Sequence, residues 1–246
     1  MKNQKIVILG ATGAVGRELS KRLAVDGSTI IAGVRDRAKA ESLEELSGAH
    51  ISEVDATSWE SVGDLFKRTI SEHGGIDGVA VCVGSILLKP AHLTSPEEFE
   101  AVMRQNLVPC FATLRSCARG MMKTGGSIVF VSSAAARHGF PSHEAIASAK
   151  AGIIGLTLSA AATYATNGIR VNCVAPGLVD SEMARPITQN EMSLKASEGM
   201  HALGRIGSPK DVASAIAWLL DTEQSWVTGQ TLGVDGGLSA LFSRKR

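Results

Sequence analysis

Short apolar runs alternate along this chain with longer stretches of helical period, and that alternation gives the first structural reading. Residues 6–9 read as a buried strand, 15–25 as a helix and 29–34 as a second strand. Residues 59–72 have helical spacing, marked by Val62, Leu65, Phe66, Thr69 and Ile70. Residues 79–83 form an apolar strand, 97–119 a long helix, 127–132 a strand, 143–165 a helix and 169–174 a strand. A helix over 210–220 and a strand over 230–234 complete the pattern. Strands apolar almost throughout, separated by helices, predict a parallel sheet covered on both faces. No proline-rich linker, repeat or low-complexity stretch interrupts the series. Residues 1–246 are therefore expected to form one doubly wound α/β domain.

Composition changes this picture mainly by exclusion. A hydrophobic content of 44% is ordinary for a globular chain with a sizeable core. A net charge of +1 makes no electrostatic case for nucleic acid or acidic lipid, so neither is expected as a partner. The basic end at 243–246 is expected to be solvated. Cys82, Cys110, Cys117 and Cys173 form no CxxC pair and match no metal-ligand spacing. Buried free thiols in a reducing cytosol are the plain reading. The apolar run at 6–9 is too short for a signal peptide, and no stretch approaches the ~20 apolar residues of a membrane span. Cytoplasmic residence is the expectation.

Candidate chemistry begins at Gly10-Ala11-Thr12-Gly13-Ala14-Val15-Gly16, between the first strand and the first helix. Glycines there permit a tight turn and close backbone approach to a pyrophosphate. The helix start adds free N–H groups and a positive dipole end. Gly10, Thr12, Gly13, Val15 and Gly16 thus read as a dinucleotide cradle of the Rossmann kind, against the plainer alternative of a structural turn. After the second strand an acidic residue would hold the 2′-hydroxyl of NAD, whereas a basic one favours the 2′-phosphate of NADP. Arg35 takes that place, followed by Asp36 and Arg37. Bidentate arginine–phosphate pairing favours NADP, with NAD as the alternative.

Further motifs carry a resemblance over essentially the whole length. They are Val54-Asp55, Gln105-Asn106, Val131-Ser132-Ser133, Lys150, the run from Gly168 through Val174-Ala175-Pro176-Gly177, and the tail through Leu203-Gly204-Arg205 to Val234-Asp235-Gly236-Gly237. In this order they resemble the short-chain dehydrogenase/reductase family, nearest its acyl-carrier-protein ketoreductase-like members. The resemblance implies that Asp55 accepts from the adenine amino group and that Gly84 lets the chain pass the adenosine ribose. It implies that Lys150 binds the nicotinamide ribose, and that Pro176, Gly177, Val179 and Ser181 contact the nicotinamide. It places Ser133 on the substrate oxygen and has Asn106 hold a water in a proton relay. It also implies a lid at about 182–204 and a homotetramer. Two departures are small: Val81 and Cys82 stand where the family often has asparagines, and Gly13 precedes the usual place of the middle glycine.

One departure is large. The family writes Tyr-x-x-x-Lys on its catalytic helix, and here position 146 is isoleucine. The only tyrosine, Tyr164, lies about five helical turns further on. Hydride transfer to a carbonyl builds charge on oxygen that must be protonated or held, and isoleucine does neither. His143 shares the helix face of Ile146 and Lys150 and is the leading substitute. A helix start disfavours a cationic ring, but a neutral imidazole can still hydrogen-bond to a developing oxyanion, as in triosephosphate isomerase. His138 is a weaker candidate, and Glu144 reads as a helix-dipole residue. The expected function is a carbonyl/alcohol oxidoreductase on a small-molecule substrate, using an atypical site. The rival is a nucleotide-binding sensor or scaffold without turnover. A third reading is non-redox chemistry, such as elimination, on the same fold.

Overall fold

The computed structural model describes residues 3–241, so the basic end at 243–246 lies outside the described residues. Seven strands form one parallel sheet: β1 (Lys5–Leu9), β2 (Thr29–Val34), β3 (His50–Glu53), β4 (Gly78–Val81), β5 (Gly126–Val131), β6 (Ile169–Pro176) and β7 (Thr231–Val234). Their spatial order is β3-β2-β1-β4-β5-β6-β7, so the winding reverses between β1 and β4. The helices are α1 (Ala14–Val25), α2 (Arg37–Glu41), α3 (Trp59–His73), α4 (Pro96–Met121), α5 (Glu144–Tyr164), α6 (Arg185–Thr188), α7 (Glu191–Met200) and α8 (Pro209–Leu220).

Strand periodicity divides the core in two. Val7, Leu9, Val79, Val81, Ile128, Phe130, Val171 and Cys173 face α3, α4 and α5, where Leu65, Phe66, Cys110, Leu114 and Ile153 meet them. Ile6, Ile8, Ile30, Ala32, Ala80, Val129 and Val174 face α1 and α8, against Leu19, Leu23, Val212 and Ile216. Burial on both faces explains why these strands read as continuous apolar runs.

The predicted elements are all present, with ends shifted by a few residues. The pattern omitted β3, an edge strand whose four residues, His-Ile-Ser-Glu, are at most half-buried. It also omitted α2, α6 and α7, which are short and only sparsely buried. One expectation needs correction. Residues 144–167, α5 and its 3₁₀ extension, are long and apolar enough by composition to cross a membrane. In the fold this helix packs against α4 and β6, and its apolar face belongs to the core.

Candidate functional site

Six strands deliver the predicted residues to one edge of the sheet. Gly10 follows β1, Arg35 follows β2, Asp55 lies just beyond β3, Gly84 beyond β4, Ser133 beyond β5 and Gly177 follows β6. Ligands of open α/β sheets bind at this edge, at the reversal of strand order.

The glycine turn is shaped as its composition predicts. Gly10 has φ +82°, and a Cβ there would lie 2.9 Å from the Cys82 carbonyl oxygen. A Cβ on Gly16 would overlap the Gly10 carbonyl and lie 2.8 Å from Ala11 Cα. Gly13 is the N-cap of α1 and supplies no side chain to its free N–H groups; the first turn carries no acidic residue. The dipole end is left open to an anion, and Thr12 and Val15 flank it.

At the end of β2 the three charged residues have separate duties. Asp36 is the N-cap of α2 and accepts from the Lys39 backbone N–H at 2.9 Å. Arg37 donates to Glu41 at 2.7 Å and to the Ile51 carbonyl at 3.4 Å. The added charge expected of Arg37 is thus taken up locally. Arg35 is exposed and, among the described residues, enters no hydrogen bond or ion pair. Asp55 accepts from the Thr57 backbone at 2.9 Å and from its hydroxyl at 2.8 Å through one oxygen, leaving the other open. Those bonds, aided by the charges of Arg35 and Arg104, hold its carboxyl below the usual range.

Lys150 is the best-positioned group. It is 8% exposed, and burial pushes its ammonium below the usual lysine range. Its Nζ donates to the Val131 carbonyl at 3.1 Å, while its own carbonyl accepts from the Ser132 hydroxyl at 2.8 Å. Two consecutive residues at the end of β5 thereby hold both ends of Lys150, and two of its three donors remain for a ligand. Ser132 was not singled out by sequence; only its place beside Ser133 hinted at it. A Cβ on Gly84 would lie 3.2 Å from Lys150 Nζ and 2.8 Å from Asn106 Oδ1, so the chain passes the lysine with no room for a side chain.

Asn106 is fully buried and both hydrogens of its amide are engaged. Nδ2 donates to Ser85 Oγ and to the Val102 carbonyl, both at 2.9 Å, and Oδ1 accepts from the Ser85 backbone at 3.1 Å. The side chain therefore braces the loop after β4, and Oδ1 keeps a second lone pair. Ser133 accepts from the Ala135 backbone at 3.1 Å and keeps its own proton to donate.

Ile146 is 5% exposed and packs with Val102, Ala145, Ala149, Leu87 and Met103. An apolar plug stands where the resemblance places a phenol. His143 is the N-cap residue of α5; its Nδ1 bonds to the Pro141 carbonyl at 2.8 Å and its ring lies 5.4 Å from that of Phe140. Ser142 between them has φ +62°, a left-handed conformation rare outside glycine. His138 is exposed and stacks on the other side of the chain of rings, 5.1 Å from Phe140.

After β6, Pro176 closes the strand and Gly177 is forced to be small, since a Cβ would lie 2.5 Å from His201 Nε2. His201 is buried; it accepts from the Leu178 N–H at 3.3 Å and donates from Nδ1 to the Ser197 carbonyl at 2.7 Å. It pins the end of α7 to the turn, a role the sequence did not reveal. Val179 pairs with Gly207, and Ser181 donates to the Val179 carbonyl and caps the 3₁₀ turn at Glu182–Ala184. Lys39 Nζ stands 3.6 Å from Glu182 Oε2. Among the described residues no cluster suited to a metal occurs, and all four cysteines are free.

The chain is similar to known proteins over nearly its whole length. The family described as Enoyl-(Acyl carrier protein) reductase matches residues 10–239. The chain is 31% identical over 247 positions to 3beta-hydroxysteroid dehydrogenase 1 of Eggerthella lenta, covering 97% of this chain and 95% of that one. It is 30% identical over 241 positions to the 3-oxoacyl-(acyl-carrier-protein) reductase FabG of Vibrio cholerae, covering 97% and 98%. The structure of ElxO with NADP bound superposes with a TM-score of 0.91 at 26% identity, covering 98% of this chain and 100% of that one.

Proposed function

This chain belongs to the short-chain dehydrogenase/reductase family, and from that premise we propose that it is an NADP(H)-dependent oxidoreductase interconverting a carbonyl and an alcohol through a site without the family's tyrosine. The observation that carries the reading is Lys150, buried, held at both ends and presenting two free donors beside Gly84. A buried ammonium with open donors is costly unless a ligand meets it. Arg35 supports the phosphorylated cofactor, because Asp36 and Arg37 are already committed elsewhere.

The residues fit such a cofactor at each point. The glycine turn and the start of α1 would hold the diphosphate, Arg35 the 2′-phosphate, Asp55 the adenine, Lys150 the nicotinamide ribose, and Pro176, Gly177, Val179 and Ser181 the nicotinamide. When bound, the cofactor supplies or accepts hydride. Ser133 donates its hydroxyl hydrogen to the substrate oxygen. Asn106 keeps the loop after β4 in place, so its part is to position Gly84 and Lys150. The lid over 182–204 covers the substrate and excludes water, and its exposed Met183, Met192, Met200 and Leu203 suit an apolar substrate body. The proton carrier is His143 or an ordered water. A homotetramer fits α5, a predominantly apolar helix whose most apolar stretch is less than half buried within its own chain.

A second reading rests on the plug around Ile146, which supports a nucleotide-binding protein without turnover. Single-turnover loss of NADPH absorbance against a carbonyl panel separates the two. Consumption by the wild type is the expected result; consumption only by Ile146→Tyr would replace the enzyme reading with the binding one.

A further inference from the structure

Resting on the oxidoreductase reading, we propose that His143 is the proton carrier of the site and works through Nε2, taking the proton in alcohol oxidation and returning it in carbonyl reduction. The hydrogen bond to Pro141 decides which nitrogen works. A carbonyl oxygen only accepts, so Nδ1, 2.8 Å away, carries the hydrogen. In the neutral ring Nε2 is then a bare lone pair, able to take a proton and unable to give one. Neutral, the ring is the base of alcohol oxidation; charged, it is the acid of carbonyl reduction, by the same path reversed.

Local structure holds the ring in that tautomer. The left-handed turn at Ser142 brings the Pro141 carbonyl back onto the ring two residues later. Phe140 packs on the ring at 5.4 Å with an interplanar angle of 49°. One helical turn further on, Ile146 closes the helix face with apolar side chains, leaving His143 as the nearest imidazole on that face. His138 reaches it only through Phe140, and Glu144 is exposed to solvent.

The step balances as follows. The substrate O–H bond breaks and its proton passes to Nε2. The carbinol C–H bond breaks, and hydrogen leaves with both electrons to the nicotinamide of NADP+. The C=O double bond forms, and the partly exposed imidazolium, still bonded to Pro141 through Nδ1, returns its proton to water.

Two measurements test this. Histidine ¹⁵N NMR of the NADP+-bound protein, with His143 assigned by its absence in His143→Asn, should show Nδ1 protonated and Nε2 bare. A ring protonated at Nε2 alone overturns the proposal whatever the activity. In rapid mixing of NADP+ with secondary alcohols, His143→Asn, whose side chain suits a helix N-cap, should lose on the order of 10²-fold in hydride-transfer rate. It should keep its NADP+ affinity and regain rate with added imidazole. An unchanged rate overturns the proposal and leaves the oxidoreductase reading standing. NADP+ reduction by Ile146→Tyr but not by the wild type, with the same alcohols, overturns both.

Discussion

Arg35 shows how a single side chain becomes available for a ligand. Three charged residues follow β2, and the fold occupies two of them: Asp36 caps α2 and Arg37 binds Glu41 and the Ile51 carbonyl. Arg35→Ala should therefore weaken NADP binding about 10-fold to 10²-fold, the worth of charge-assisted hydrogen bonds, while NAD binding changes little. Isothermal titration with both cofactors measures this; equal losses for the two would remove Arg35 from the 2′-phosphate site. The identity and position of Arg35 were legible in the sequence, because strand ends and charge can be read locally. The duties of its neighbours were only partly so. Asp36 as a cap is a local pattern, but the Arg37 contact with Ile51 joins helix α2 to strand β3. Asn106 was harder still. Its amide is consumed by Ser85, 21 positions away, and no periodicity marks such a pairing.

At the scale of elements, the apolar strands and long helices were legible because both sheet faces are buried. The edge strand and the short surface helices were not. β3 needs no continuous apolar run, since it is a short edge strand with little buried side chain. Helices α6 and α7 present few apolar positions to the core, and the bond that anchors α7, His201 to Leu178, depends on where the chain returns. The start of α8 anchors the segment that follows α7. Ser208 and Asp211 form a reciprocal cap, and Arg205 grips Asp211 at 2.8 and 3.1 Å. The Arg205 guanidinium first, and then the Ser208 N–H, hold the Asp211 carboxyl well below the usual carboxylate range. A depressed folded-state pKa gives stability that is complete above the ordinary carboxylate value and is lost as pH falls below it. Asp211→Asn should therefore flatten the acid side of a stability-against-pH curve and leave its shape near neutrality unchanged. Thermal unfolding across the acid range is the check, and an identical acid slope in the two proteins would contradict the assignment.

For the whole molecule, strand order matters more than any one contact. The order β3-β2-β1-β4-β5-β6-β7 puts β2 and β6 four strands apart, about 19 Å at ~4.8 Å per strand. Yet Lys39, just beyond β2, and Glu182, just beyond β6, stand 3.6 Å from one another. Their chains must lean toward each other over the crevice at the strand-order reversal, where the dinucleotide is expected. Both side chains are largely exposed, so the pair adds little to folding. Its consequence is kinetic. A bridge over an entrance behaves as a toggle whose closed fraction depends on ionic strength, since mobile ions screen exposed charges within about 10 Å at 0.1 M salt. Added salt should speed both capture and escape of cofactor, and Lys39→Ala should make capture fast at low salt and abolish that acceleration. Stopped-flow fluorescence of NADPH binding over a salt series would expose the toggle. Parallel salt dependence in the two proteins would mean that the bridge does not gate entry, and that the crevice is open from the outset.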